Sequence, residues 1–165
     1  MECLAMLLEN TGQSYAEEEK QELADRKNGY YRDMIDHLSP ENMLPGGREM
    51  VEELKGRGLK VAVASGSKNA PFILARIALE DDLDAAVSGL DIENSKPDPE
   101  IFLLAADELD VAPENCLVVE DAQSGVEAAC RAGMRPLGIG DTPLEGAEKT
   151  VPSINDISAD ELLAL

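Results

Sequence analysis

The regular alternation of short apolar segments with helix-like segments most constrains the fold of this chain. Four apolar runs are typical of buried strands, and they read LKVAVAS, LDAAVSG, CLVVED and RPLGIG. The segments between them have the spacing of helices. This alternation predicts an α/β protein with βαβ units, right-handed crossovers and a parallel sheet. We therefore expect functional groups at the carboxyl ends of the strands.

The first part of the chain differs from this pattern. Tyr15 to about Ile35 is a long polar segment with helical spacing, despite Gly29. The stretch HLSPENMLPGG then contains two prolines and a glycine pair, which are typical of a domain boundary or hinge. We predict a helical domain at residues 1–40 and an α/β domain at residues 41–165.

Three helix ends in the second domain are marked by their residues. Asn69 is predicted to cap one helix, with Pro71 in its first turn. Asp98 is predicted to cap another, with Pro99 at its first position. Gly133 is predicted to close a third helix.

The chain is strongly acidic, with 34 acidic and 14 basic residues and a net charge of −20. Such a surface repels nucleic acids and anionic membranes, so we expect neither as a partner. No run is long and apolar enough to span a bilayer, and the first residues lack the features of a signal peptide. Three cysteines form no Cys-x-x-Cys pair. These features predict a cytoplasmic protein with reduced thiols.

The segment VAVASGSKNAP carries polar groups at a strand end. Ser65, Gly66 and Ser67 offer hydroxyl groups and a tight backbone before a helix, an arrangement that binds phosphate. Lys68 adds a positive charge, and Asn69 caps the helix or contacts a ligand. Taken alone, the segment favours an ordinary strand-to-helix turn in which the serine and asparagine side chains cap the helix.

Charged residues occupy two further positions of this kind. Lys96 lies just before a helix, in a loop stiffened by Pro97 and Pro99, where a lysine can neutralise phosphate. Glu120 and Asp121 follow an apolar strand, and carboxylate oxygens are ligands that Mg²⁺ prefers. The alternatives are a solvated loop lysine and a surface turn whose acids lie near a helix N-terminus.

The order and spacing of these motifs together resemble the haloacid dehalogenase superfamily of phosphotransferases. The segments ELADRKNGYY, SPENMLPG, VAVASGSKNAPFIL, SKPDPEIFLLAA and VEDAQSGVEAA are similar to those of its β-phosphoglucomutase-like family. The resemblance runs from about Glu22 to Gly140. It implies a Rossmann-like α/β core with flanking helices, preceded by a remnant helical cap.

The resemblance also implies roles for individual residues. Ser65 would bind the transferring phosphoryl group, Lys96 would balance its charge, and Glu120 with Asp121 would help to hold Mg²⁺. The implied protein is a monomer or weak homo-oligomer that interconverts β-glucose 1-phosphate and glucose 6-phosphate through a phospho-aspartate and a bisphosphate. Further residues would contact phosphate or sugar phosphate: Lys27 in the cap, and Gly66, Ser67, Lys68 and Asn69.

One feature of that family is missing from the 165 residues. In the family, a carboxylate nucleophile and an acid–base aspartate end the first strand, in an Asp-x-Asp-Gly pattern after an apolar run. The only Asp-x-Asp here is Asp82-Leu83-Asp84, which precedes a strand and has Ala85 where glycine should be. We therefore expect the chain to begin inside the cap, to lack the first strand and to be inactive alone.

The missing strand predicts a reduced or rearranged sheet. In the family it lies between the strand ending at Ser65 and the strand ending at Glu120. Those strands would pair with each other, accept a strand from another chain, or leave the fragment poorly stable. Two other functions stay open, a sugar-phosphate phosphatase and a non-catalytic phosphosugar-binding module. The segment SGSKN and the Lys27 segment favour the mutase.

Overall fold

The computed structural model describes residues 15–165, and the structure divides into two units between Leu38 and Ser39. The predicted domain of residues 1–40 includes residues 1–14, which lie outside the described residues. The identification of that domain as a remnant cap stays a prediction.

The described part of the first unit contains helix α1 (Glu17–Ile35). Its first turn carries three glutamates, and negative charge is favourable at a helix N-terminus. The Glu19 carboxylate accepts a hydrogen bond from the Ala16 amide at 2.8 Å, which satisfies one of the free N–H groups there. The predicted helix is confirmed, with a start two residues later. Lys27 lies on this helix and is exposed.

The second unit holds the α/β part of the chain. Its strands are β1 (Ala62–Ala64), β2 (Ala85–Val87), β3 (Leu117–Glu120), β4 (Arg135–Ile139) and β5 (Lys149–Val151). Its α-helices are α2 (Gly47–Gly56), α3 (Ala70–Arg76), α4 (Glu100–Glu108), α5 (Gln123–Arg131) and α6 (Ala159–Leu163). The predicted α/β class, with parallel strands and flanking helices, is confirmed.

The strands form two separate parallel ladders. β1 pairs with β2, and the other ladder has the order β3-β4-β5. Within residues 15–165, β1 and β3 are not hydrogen-bonded to each other. The alternative in which β1 pairs with β3 is therefore wrong, and two separate ladders are compatible with the predicted reduced or rearranged sheet.

Two apolar clusters cover opposite faces of the sheet. Val118 packs with residues of α4 and α5, including Ile101 and Ala128. Its neighbour Leu117 packs with Leu137 and with residues of α2 and α6. Because successive residues of a strand point to opposite faces, helices lie on both sides of β3. The carboxyl end of β3 is left for polar groups.

Some element ends differ from the sequence-based expectations. Asn69 occupies the predicted N-cap of α3, and Gly133 follows α5 with a φ of 75°. Helix α4 begins at Glu100, one residue later than expected, with Pro99 at the N-cap. The Asp98 carboxylate still accepts a hydrogen bond from the Glu100 amide at 3.0 Å. The Pro99 carbonyl oxygen accepts the first bonds of the helix, from the Phe102 and Leu103 amides at 3.0 Å, so the helix is counted from the next residue.

Strand β5 was not predicted from the sequence. Only one of its three residues, Val151, is apolar and buried, so no strand-like apolar run marks it. It forms because Leu137 to Ile139 of β4 offer a free edge, to which Lys149 to Val151 add in parallel. Pairing with β4 therefore forms a strand where the local sequence favours one only weakly.

The described thiols are free, and one of them is shielded. Cys116 and Cys130 form no disulfide bond, whereas Cys3 lies outside the described residues. Burial raises the pKa of the Cys116 thiol, and the charge of Glu114 raises it further. Within residues 15–165, every helix is too short or too polar to cross a membrane.

Candidate functional site

An ion pair joins the carboxyl ends of β1 and β3. The Lys96 ammonium pairs with the Glu120 carboxylate and donates a second hydrogen bond to the Ala64 carbonyl oxygen at 3.3 Å. Only 17% of the Lys96 side chain and 8% of the Glu120 side chain are exposed. Because Ala64 ends β1 and Glu120 ends β3, Lys96 connects the two ladders. Ser65 is the next residue after Ala64, so it lies beside the same contact.

The loop that carries Lys96 is held at both ends. The Glu100 carboxylate accepts hydrogen bonds from the amides of Glu93 at 2.9 Å and Asn94 at 2.8 Å. Both bonds lower the pKa of Glu100 because they favour its charged form. The bond from Glu93 has the largest effect. On the other side, the Arg131 guanidinium donates to the Pro97 carbonyl oxygen at 3.3 Å. The lysine therefore projects from a fixed loop.

The Glu120 carboxylate lies against the first turn of α5. The Ala122 amide donates to its second oxygen at 3.4 Å. A Cβ atom at Gly125 would lie closer than 3.0 Å to the carboxyl carbon and both oxygens of Glu120. Gly125 is therefore the residue that leaves room for this carboxylate. Asp121 is exposed, so the two neighbouring acids have different surroundings.

The loop after β1 is ordered by its own serines. The Ser65 hydroxyl accepts a hydrogen bond from the Ser67 amide at 3.3 Å, and the Ser67 hydroxyl accepts one from the Asn69 amide at 3.2 Å. A Cβ atom at Gly66 would meet no atom within 4 Å, so the space beside it is open. Helix α3 has only seven residues. The loop's hydroxyls and Lys68, rather than a long helix dipole, would have to attract an anion here.

A turn after β2 supports that loop, although no motif in the sequence marks it. The Gly89 amide donates to the Ser67 carbonyl oxygen at 3.2 Å, and a Cβ atom at Gly89 would collide with the backbone of Gly66. Ser88, only 3% exposed, donates from its amide and hydroxyl to the Asp91 carboxylate at 2.8 and 2.7 Å. The bonds from Ser88 lower the pKa of Asp91. Only a residue without a side chain fits between these two turns.

The Asp-x-Asp stretch that was rejected as a nucleophile lies elsewhere. Asp82 pairs with Arg48 at 2.6 Å. Asp84 accepts a hydrogen bond from the Val61 amide at 2.8 Å and pairs with Lys55 at 3.0 Å. Both acids precede β2, at the opposite end of the strand from Ser88. They have structural partners and are remote in the fold from the carboxyl ends of the strands.

Comparison with known proteins identifies the family of the chain. The profile of the family described as haloacid dehalogenase-like hydrolase matches residues 3–133. The chain belongs to this family. It is 43% identical over 149 residues to β-phosphoglucomutase from Bacillus subtilis (strain 168), covering 90% of this chain and 66% of that protein. It is 42% identical over 103 residues to the phosphorylated carbohydrates phosphatase of Thermotoga maritima, covering 61% of this chain and 47% of that protein.

A solved structure of this haloacid dehalogenase-like family is similar over most of this chain. The crystal structure of β-phosphoglucomutase from Clostridium difficile matches with a TM-score of 0.85 and 35% identity. The match covers 94% of this chain and 70% of that chain. The coverage of the two curated relatives above, 66% and 47%, means that this chain spans less than two thirds of the length of each.

The structure brings part of the predicted site together. Lys96 lies at the ends of both β1 and β3, next to Ser65 and in contact with Glu120. Gly66, Ser67, Lys68 and Asn69 form the adjoining loop. Lys27 belongs to the first unit. The roles of these residues in binding and catalysis stay predictions.

The oxygen donors at the carboxyl end of β3 determine whether a metal ion could bind there. Within residues 15–165 no group of three acidic, histidine or cysteine residues could hold a metal ion. Glu120 and Asp121 offer the carboxylate oxygens that Mg²⁺ prefers, but two side chains do not fill six positions. The two acids therefore match Mg²⁺ in the kind of ligand, and a magnesium site stays a prediction.

Proposed function

We propose that this chain is the greater part of a sugar-phosphate phosphomutase of the β-phosphoglucomutase type. The observation that carries the proposal is the position of Lys96, between Ala64 at the end of β1 and Glu120 at the end of β3. A cation held there, beside the Ser65 hydroxyl and an open loop, suits a phosphoryl group.

The chain's own residues would bind and orient the phosphoryl group. Ser65 and the loop residues would donate hydrogen bonds to its oxygens, and Lys96 would balance its negative charge. Glu120 and Asp121 would supply carboxylate oxygens to Mg²⁺, which would screen charge on the phosphate. Glu120 contacts Lys96, so the ammonium for the phosphate and the carboxylate for Mg²⁺ would lie side by side.

The mutase is proposed over a phosphatase because the long match of higher identity is to a mutase. The Bacillus subtilis β-phosphoglucomutase is 43% identical over 90% of this chain, whereas hexitol phosphatase B of Escherichia coli (strain K12) is 30% identical over 87%. The two activities differ in whether a sugar hydroxyl or water accepts the phosphoryl group. The first unit, with Lys27, would have to favour the sugar.

Activity should depend on a strand with an Asp-x-Asp-Gly end, which the 165 residues do not contain. We expect the chain alone to convert no β-glucose 1-phosphate and to form no aspartyl-phosphate. Fusing the segment of the Bacillus subtilis enzyme that supplies this strand to the chain should give glucose 6-phosphate. A coupled dehydrogenase assay would measure the isomerisation, with phosphate release measured in parallel.

The controls for this assay separate the alternatives. The fusion carrying Lys96→Met should lose activity, since the phosphoryl charge is then unbalanced. Release of phosphate without glucose 6-phosphate would favour the phosphatase. Turnover by the chain alone would contradict the proposed need for the additional strand.

A second candidate is a binding module without catalysis. It is favoured by the presence of the loop at Ser65, of Lys96 and of the acid pair in a sequence that has no Asp-x-Asp-Gly. Calorimetry with glucose 6-phosphate on the folded chain tests it, and no heat of binding would exclude it. Heat of binding without activity in the fusion would favour the module over the mutase.

A further inference from the structure

An aromatic ring lies beneath the lysine of the candidate site. The Lys96 ammonium is 4.6 Å from the centroid of the Phe102 ring, over its face. Phe102 lies in the first turn of α4, is only 5% exposed and packs in the cluster that includes Ala62 and Ala64 of β1. The ring is therefore held by the core, and the ammonium lies over its face.

We propose that Phe102 is a positioning residue for Lys96 in phosphate binding, a role that rests on the function proposed above. A lysine side chain is a point charge on a flexible four-carbon stem, so its place depends on what surrounds it. Glu120 and the Ala64 carbonyl bind the ammonium through polar contacts. The ring face attracts the same charge through its quadrupole and closes the apolar side.

Three groups on different elements thus confine one ammonium. Ala64 belongs to β1, Glu120 to β3 and Phe102 to α4. Without the ring, the stem of Lys96 could rotate about the two polar contacts, and a bound phosphate would have to restrict it again. Loss of the ring should therefore weaken phosphate binding even though Phe102 touches no ligand.

The chain contains a matched control. It has only two phenylalanines, and both lie under a cation. The Arg76 guanidinium is 4.9 Å from the centroid of the Phe72 ring, within α3. Phe72→Leu removes a ring of the same kind without touching Lys96. Phe72 is half-buried whereas Phe102 is buried, so this variant controls for the loss of a ring under a cation, and the folding of the Phe102 variants is checked separately.

The first measurement tests the position of Lys96 directly. In protein labelled with ¹³C-lysine, ring current should shift the ε-methylene protons of Lys96 upfield of the other lysines. Lys96→Arg identifies the signal by its loss. The upfield shift should persist in Phe72→Leu. It should disappear in Phe102→Leu and also in Phe102→Met, whose side chain packs differently from that of leucine. Wild-type protein without the upfield shift would overturn the proposal, even if both Phe102 variants fail to fold.

The second measurement tests the effect on binding. Inorganic phosphate is titrated calorimetrically into each folded variant in the presence of MgCl₂, with circular dichroism as the check of folding. Phe102→Leu should bind phosphate about threefold to about thirtyfold more weakly, as expected for a cation–π contact, and Phe72→Leu should bind like wild type.

The outcomes separate this inference from the function on which it rests. Failure of the fusion to form glucose 6-phosphate would overturn the proposed function. Wild-type protein that binds phosphate, with equal affinity in Phe102→Leu, would overturn only the positioning role. Equal losses in the Phe102 and Phe72 variants would also overturn it.

Discussion

At the scale of single residues, the candidate site depends on glycines as much as on charged groups. Gly125 leaves room for the Glu120 carboxylate, and Gly89 lets one turn lie against the backbone of Gly66. Neither has the positive φ that usually explains a glycine. Their function is steric, because any side chain would occupy space that a neighbouring group already fills.

Gly125→Ala should destabilise the protein through Glu120. The new Cβ would collide with a carboxylate that is paired with Lys96, so the pair must shift or break. We expect a loss of about 1–3 kcal/mol in the free energy of unfolding, as for other overpacked sites. Urea denaturation measures it.

The control for this variant is Gly56→Ala, at the end of α2. A Cβ atom at Gly56 would meet no atom within 4 Å. The substitution should be neutral or stabilise by about 0.5–1 kcal/mol, because alanine favours helix and restricts the unfolded chain. Equal stability of the two variants would contradict the assigned steric role of Gly125.

Among the secondary-structure elements, the two ladders differ in the number of neighbouring strands that stabilise them. Within residues 15–165, β4 has a partner strand on each side, whereas β1 and β2 pair only with each other over three residues. Val119 in the middle of β3 is 44% exposed, so this part of the sheet face is also open. A two-stranded ladder depends strongly on contacts outside the sheet, and Lys96 is one such contact at β1.

Hydrogen exchange should follow this difference in support. Peptides that cover β1 and β2 should exchange before those that cover β4, since local opening needs fewer contacts to break. Lys96→Met should widen the difference and lower the free energy of unfolding by about 3 kcal/mol, because Glu120 is left buried without its partner.

Lys149→Met is the matched control for the lysine substitution. Lys149 pairs with Glu161 at 3.8 Å, and both side chains are well exposed. Such pairs contribute little, about 0–1 kcal/mol, so exchange at β1 should not change. Equal protection of β1 and β4 in wild-type protein, or equal effects of the two variants, would contradict the role given to Lys96.

At the scale of the whole molecule, charge is the dominant feature. The 165 residues carry a net charge of −20. The acidic groups repel one another more strongly in the compact state than in the unfolded chain, because they lie closer together. The described ion pairs other than that of Lys96 have at least one side chain that is more than a third exposed, so they offset little of this repulsion.

Salt should therefore stabilise this protein. Raising NaCl from about 0.01 M to about 1 M shortens the Debye length from about 30 Å to about 3 Å, which screens the like charges from one another. We expect the melting temperature to rise over this range in a scanning calorimeter. An unchanged or falling melting temperature would show that the acids do not repel one another strongly.

The α/β class, the order of most elements and the candidate phosphate-binding residues were predictable from local patterns of residues. Strands such as Leu117–Glu120 are visible because a buried strand must be apolar, and Ser65, Lys96 and Glu120 stand out at the ends of such runs or beside a helix start. These signals are local, since each depends on residues close together in the chain.

The contacts between those residues could not be predicted in this way, because they form between distant parts of the chain. The pairing of Lys96 with Glu120, the ring of Phe102 under the ammonium and the room left by Gly125 all depend on packing between elements. The added strand at Lys149–Val151 and the separation of the sheet into two ladders depend on which edges are free. The physical reason is that contacts between distant parts of the chain leave no periodic pattern in the sequence.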